Sequence, residues 1–295
     1  MEIMTASKQW ATRPSDERYA SLEAMHAAAL KSRRESREKN VSASRLLVVP
    51  QGDQLYLRGP EGGQALMAYR AFHQLSSRVG APAAYLRGLP TELAAQCLQQ
   101  GIRERGTDLG DLSLLFRVPG KSEGSQSDGL LLRALTSDSY TRIWNSDVIE
   151  RLMDLGDDWT TPPARGDRPS GLYLGDRDMF AFMVNDARRI VDGSPEGLAR
   201  GFFVANSEVG EAAFDLTSFL YRYICGNHII WGAEKVSRVW VRHVGHANSR
   251  AFDGLKVAIR TYMDGAASLD EAKLKSAREK LHDATKDEVL DLIFG

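Results

Sequence analysis

The side chains best suited to chemistry cluster between residues 199 and 247, and the sharpest pattern there is Arg238-x-Trp240-x-Arg242. In a strand spanning residues 236–244, alternation would place Arg238, Trp240 and Arg242 on one face and Ser237, Val239, Val241 and His243 on the other. A tryptophan between two arginines suits a nucleic-acid strand, because guanidinium groups neutralise phosphate and an indole stacks on a base, worth about 1–3 kcal/mol. The same triplet is equally served by cation–π pairing within the protein. Charge adds to the first reading. From Arg222 to Arg260 there are seven basic residues (Arg222, Lys235, Arg238, Arg242, Arg250, Lys256 and Arg260) against Glu234 and Asp253, in a chain of net charge −1. That local excess is the footprint expected of phosphate binding.

Two further chemistries compete for the same stretch. Cys225-Gly-Asn-His228 followed by His243-Val-Gly-His246 has the form C-x2-H…H-x2-H, so Cys225, His228, His243 and His246 are nominal zinc ligands. To converge, the second pair needs a turn at Gly245. A Cys225–His dyad oriented by Glu208 or Asp215 would be a nucleophile, yet nothing in the sequence marks Cys225 as activated. The chain contains no phosphate-cradling loop, dinucleotide fingerprint or nucleophile elbow. Asn206, Ser207 and Glu208 read as a turn whose side chains bond backbone groups.

Positioning these residues requires strands. Residues 214–224 alternate as Phe214, Leu216, Leu220 and Ile224 on one face, with Asp215, Thr217, Phe219, Tyr221 and Tyr223 on the other. An aromatic ladder of this kind favours sheet packing over a base platform. Upstream, strands are expected at 45–49, 54–58, 112–118 and 130–136, the last pair joined by a polar hairpin tip at 119–129, with a further hairpin at 171–174 and 179–184. The Asp176 and Asp178 of that hairpin's turn are better explained by turn chemistry than by a metal loop. Residues 157–170 read as a loop.

Amphipathic periodicity predicts helices over 15–39 (capped by Ser15), 64–79, from Thr91 onward, after Ser146, over 249–262 and from Ser268 to the end. The Gly-Pro-punctuated helices between 64 and 98 have a helix–turn–helix outline, but plain packing explains them more simply, and Cys97 is expected on an inward face. The fold expected is α+β: a twisted, mainly antiparallel sheet with helices on one face. It divides into an N-terminal helical arm (1–40), one core domain (41–265) and a C-terminal helix (266–295).

At 295 residues, 43 % apolar and 26 % charged, the chain has an ordinary globular composition. With 38 basic and 39 acidic residues, no global charge draws it to nucleic acid or membrane, so any such partner is held by a local patch. Two cysteines suit a reducing cytoplasm rather than a disulfide framework. No apolar run is long enough to span a bilayer, and no secretory leader is apparent.

Four segments in order, AFHQLSSRVGAPAAYLRGLPTELAA, LLLRALTSDSYTRIWNSDVIERL, FFVANSEVGEAAFDLTSFLYRYICGNHIIWG and RHVG, resemble the phage- and plasmid-borne family defined as domain of unknown function 932. The resemblance covers about residues 40–265. Its most specific part is NSEVG followed by a strand end of the form Tyr-x-Cys-Gly-Asn, and it departs from the family where His228 replaces a small residue. It implies a mobile-element setting rather than a reaction. The expected function is therefore non-enzymatic nucleic-acid binding, single-stranded DNA favoured, in replication, recombination or maintenance, through Arg222, Arg238, Trp240, Arg242, Arg250 and Arg260. An interaction protein that binds a host factor is the alternative from another class, and a metal-dependent or Cys/His enzyme is the third. No cofactor and no membrane partner are expected. Self-association is expected from the charged terminal helices.

Overall fold

In the computed structural model of the chain, the structure describes residues 3–5, 13–118, 129–156, 158–161, 171–190, 198–224, 227–231 and 238–264. The chain opens with β1 (Ile3–Thr5), a 3-10 turn at Ser15–Glu17, β2 (Arg18–Tyr19) and α1 (Leu22–Glu35). Here the expected 15–39 helix is corrected at both ends. Ser21, not Ser15, caps it, its Oγ accepting from the Ala24 amide at 3.2 Å. At the other end the chain turns extended at Ser36 and becomes β3 (Ser36–Ser42). That run of charges is a strand because it lies on a sheet edge. Only Ser36 and Val41 are buried, and charged side chains on an edge discourage further strand pairing. Helix α1 in turn buries Met25 and Ala29 in the core, so its apolar stripe is satisfied within the chain.

Next come β4 (Leu47–Gln51), β5 (Gln54–Arg58), β6 (Gln64–Met67), α2 (Tyr69–Arg78), α3 (Ala83–Arg87), α4 (Thr91–Leu109), β7 (Asp111–Arg117) and β8 (Leu130–Ser137). The helix expected over 64–79 therefore begins only at Tyr69. Residues 64–67 form a strand between β5 and β8, with Ala65, Leu66 and Met67 running parallel to Leu130, Leu131 and Leu132. The strands order as β3-β7-β8-β6-β5-β4. Helices α2 and α4 cover one face of this sheet through Phe72, Leu75, Leu98 and Ile102, with Cys97 packed at the margin. The α2–α3–α4 segment is thus a packing unit.

The second half supplies α5 (Asn145–Met153), β9 (Leu172–Leu174), β10 (Met179–Ile190), β11 (Leu198–Asn206), β12 (Phe214–Ile224), β13 (Asn227–Trp231), β14 (Arg238–Val241) and α6 (Ala247–Asp264). Ser146 lies inside the first turn of α5 rather than capping it. The eight-stranded sheet runs β1-β13-β12-β11-β10-β9-β2, with β14 also paired to β12. Its pairings are antiparallel. Helices α1, α5 and α6 cover one face over Met183, Phe202, Val204, Phe214 and Leu216. The fold is α+β as expected, but its strands divide between two sheets rather than one.

The opposite face of the eight-stranded sheet carries an aromatic ladder. Phe219 is fully buried, its ring 4.9 Å from Phe182 and 6.1 Å from Phe203. This is packing, not a base platform. Among the described residues no helix is long and apolar enough to cross a membrane. The expected hairpin tip at 119–128, the residues 162–170 and the C-terminal helix lie outside the described residues.

Candidate nucleic-acid interface

Strand β14 pairs with the first half of β12, placing Val239 opposite Leu216 and Val241 opposite Phe214 over the helical core. The alternation expected of residues 238–243 holds. Arg238, Trp240 and Arg242 are exposed, whereas Val241 and His243 are buried. Trp240 leaves 54 % of its surface accessible, a large apolar group held open at a strand. The two flanking arginines differ. Arg238 is committed to Asp215, its Nη2 and Nε donating to the two carboxylate oxygens at 2.6 and 3.0 Å. Arg242 has no ion-pair partner among the described residues.

The other basic positions are less uniform than the sequence suggested. Arg250, in the first turn of α6, bends back over the preceding turn and donates to the Val244 carbonyl at 2.5 Å. It also reaches the carbonyls of Arg242 and His246 at 3.4 Å, so it stands beside Arg242 while bracing the backbone. Arg260 is exposed on α6. Arg222 sits on the second half of β12 opposite Ile229, in phase with Phe214 and Leu216 rather than with Asp215. Its backbone register therefore sets it apart from the Trp240 face.

The zinc arrangement is not assembled among the described residues. His243 is buried and its Nδ1 lies 2.8 Å from the Tyr140 hydroxyl, with the two rings stacked 5.1 Å apart. Burial and the nearby Arg142 guanidinium push its pKa down to about 4, so the ring is neutral at physiological pH. His246 is exposed, Cys225 lies outside the described residues, and so does the side chain of His228. No cluster of three or more His, Cys, Asp or Glu groups suited to a metal occurs among the described residues. The two carboxylates considered as orienting groups for Cys225 are both engaged elsewhere, Asp215 by Arg238 and Glu208 by Arg133. In the β9–β10 turn, Asp176 pairs with Arg117 and Asp178 with Arg13, which accounts for both without a metal.

What sequence reasoning missed is the polar hub around Asn206-Ser207-Glu208. Arg133 on β8 and Glu208 after β11 join the two sheets through a buried ion pair of 3.3 Å, with side chains 5 % and 3 % exposed. Arg133 also donates to Ser36 Oγ at 3.1 Å, and Glu208 accepts the Asn145 amide at 2.9 Å. Asn206 Nδ2 donates to the Ile143 carbonyl and to Asn145 Oδ1, while Ser207 Oγ accepts the Glu211 amide. The expectation that these side chains bond backbone groups holds, but the ion pair goes beyond it. The available signal was Arg133 itself. A single charge within LLLRALT, in a strand otherwise apolar enough to be covered on both faces, requires a buried counter-charge.

The family model described as a domain of unknown function (DUF932) matches residues 134–294, more than half of the chain. The chain belongs to this family. The DUF932 segment begins at Ala134, one residue after Arg133, and contains α5, the core of the eight-stranded sheet, β14 and α6. It starts later than the resemblance suggested, because most of the six-stranded sheet precedes it, and it runs further towards the C-terminus. Glu208 therefore lies inside the DUF932 segment, whereas its partner Arg133 lies just before it. No match was found among curated proteins or solved structures.

Proposed function

We propose that this DUF932 member is a non-enzymatic, cytoplasmic binder of single-stranded nucleic acid, acting in the upkeep of a mobile element. The half-exposed indole of Trp240, flanked by two arginines at one face of β14, carries this reading. An exposed indole offers a stacking surface that any base can use, and Arg242 and Arg250 supply phosphate contacts beside it. Arg260 is exposed on α6, which packs against the Val239 and Val241 side of β14, so it stands apart from Trp240. Arg238 contributes less, since its guanidinium is already satisfied by Asp215.

A protein partner is the second reading, favoured by that same Arg238–Asp215 pair. Tryptophan and arginine also dominate protein interfaces, and a neutralised pair suits a partner surface better than a phosphate. Binding of a fluorescent single-stranded oligonucleotide by wild type, Arg242→Ala and Arg238→Ala separates the two. Nucleic-acid binding predicts a clear loss for Arg242→Ala and a smaller one for Arg238→Ala. Absence of binding at low salt leaves the protein-partner reading.

A further inference from the structure

Outside the Trp240 face lies a pocket of about 380 Å³, walled by α2 and by the chain leaving β8. Its lining includes Arg70, His73 and Arg78 from α2, together with Thr136, Ser137 and Tyr140. No carboxylate lines it. Arg70 shares its charge with Glu211, outside the lining, at 3.1 Å, donates from Nη2 to the Gly210 carbonyl, and leaves a buried Nε without an acceptor. Arg78 differs. It has no ion pair or hydrogen-bond acceptor among the described residues, and its Nε is also buried and unpartnered. Arg78 is half-buried and carries no counter-charge among the described residues, so its guanidinium has donors left for an anion.

We propose that this pocket binds a phosphate ester, held by Arg78 and Arg70, with His73 and Ser137 as surrounding hydrogen-bonding groups and the Tyr140 ring as one wall, its hydroxyl being engaged by the Ser207 carbonyl and His243. Arginine is suited to the task because its planar donors match phosphate oxygens in pairs. The Ser137 hydroxyl and the His73 ring offer further donors. Gly210, at φ +73°, closes the side nearest Tyr140, and a Cβ there would come within 3.5 Å of the Tyr140 ring. Burial lowers the Arg78 pKa, in keeping with a guanidinium that lacks a neighbouring carboxylate. The site is independent of the Trp240 face, and the α2 residues that line it precede the DUF932 segment. The phosphate group has two possible sources, a mononucleotide or a nucleic-acid backbone.

The test is phosphorus NMR of inorganic phosphate and of adenosine monophosphate with the full chain. Wild type is expected to broaden both resonances. Arg78→Gln, which keeps the side-chain stem, should weaken binding at least tenfold. Ser137→Glu, which sets a carboxylate at the rim and leaves both arginines in place, should do the same. Trp240→Ala should retain it, separating this site from the oligonucleotide face. Displacement of phosphate by a single-stranded oligonucleotide supports the site with a backbone phosphate as ligand. Displacement by the mononucleotide alone supports it with a free nucleotide. Unperturbed resonances with wild type, or binding by both pocket variants equal to wild type, would overturn the proposal.

Discussion

Trp240, His243 and Arg133 show how differently one chain treats its conspicuous side chains. Trp240 is held open to solvent, while His243, three residues later, is buried and neutral against Tyr140. Its folded pKa of about 4 lies below the ordinary value of 6.5, so the unfolded chain binds more protons between these limits. Stability should therefore fall as the pH drops from about 6.5 towards 4, by up to about 3 kcal/mol from this group. Urea denaturation across that range should show the slope in wild type and a flatter one in His243→Gln. Arg133 and Glu208 lend themselves to a double-mutant cycle. Arg133→Met alone leaves a buried carboxylate and should cost about 3–5 kcal/mol, whereas adding Glu208→Gln, which retains an acceptor for the Asn145 amide, should recover much of that loss. At this scale the sequence was a fair guide to exposure along β14, because period two needs only local information. It was a poor guide to pairing. Asp215 and Glu208 meet their arginines across strands, at sequence separations that no local pattern encodes.

Among the elements, the departures have a common cause. Residues 36–42 are charged and follow a helix, so helical periodicity carries straight through them, yet β7 offers an unpaired edge and the segment becomes β3 along its full length. Residues 64–67 likewise join a helical pattern in sequence, but β5 and β8 capture them from either side. Tertiary pairing overrode local propensity in both cases. The antiparallel hairpin of β9 and β10 was legible because its turn residues and alternation agree. A different long-range constraint fixes α4. A Cβ at Gly106 would lie 2.8 Å from the Ser44 Cα, which belongs to the backbone of the turn packed on that helix. Gly106→Ala gains about 1 kcal/mol of helix propensity, but overpacking typically costs about 1–3 kcal/mol. The net outcome expected is destabilisation, read as a lower urea midpoint with an unchanged slope.

At the scale of the whole molecule, two sheets with separate helical covers meet at the Asn206–Glu208 hub, and the DUF932 segment takes in all of the eight-stranded sheet but β1 and β2, together with the second half of β8 from the other. The α+β class was legible from alternating strand and helix patterns. The division into two sheets was not, because strand order depends on pairings such as β6 with β8 that are remote in sequence. With a net charge of −1 no overall positive charge draws the chain to nucleic acid, so the proposed interface depends on a few cations around Trp240. Two of them, Arg242 and Arg250, imply a shallow salt dependence, a slope of about −1.4 in log K against log salt for a single strand. The most direct test is a salt titration of single-stranded oligonucleotide binding by wild type and Trp240→Ala. The account predicts that shallow slope for wild type, and an affinity loss of about 1–3 kcal/mol for the variant at every salt concentration. Equal affinities for the two proteins, or no binding at low salt, would contradict it.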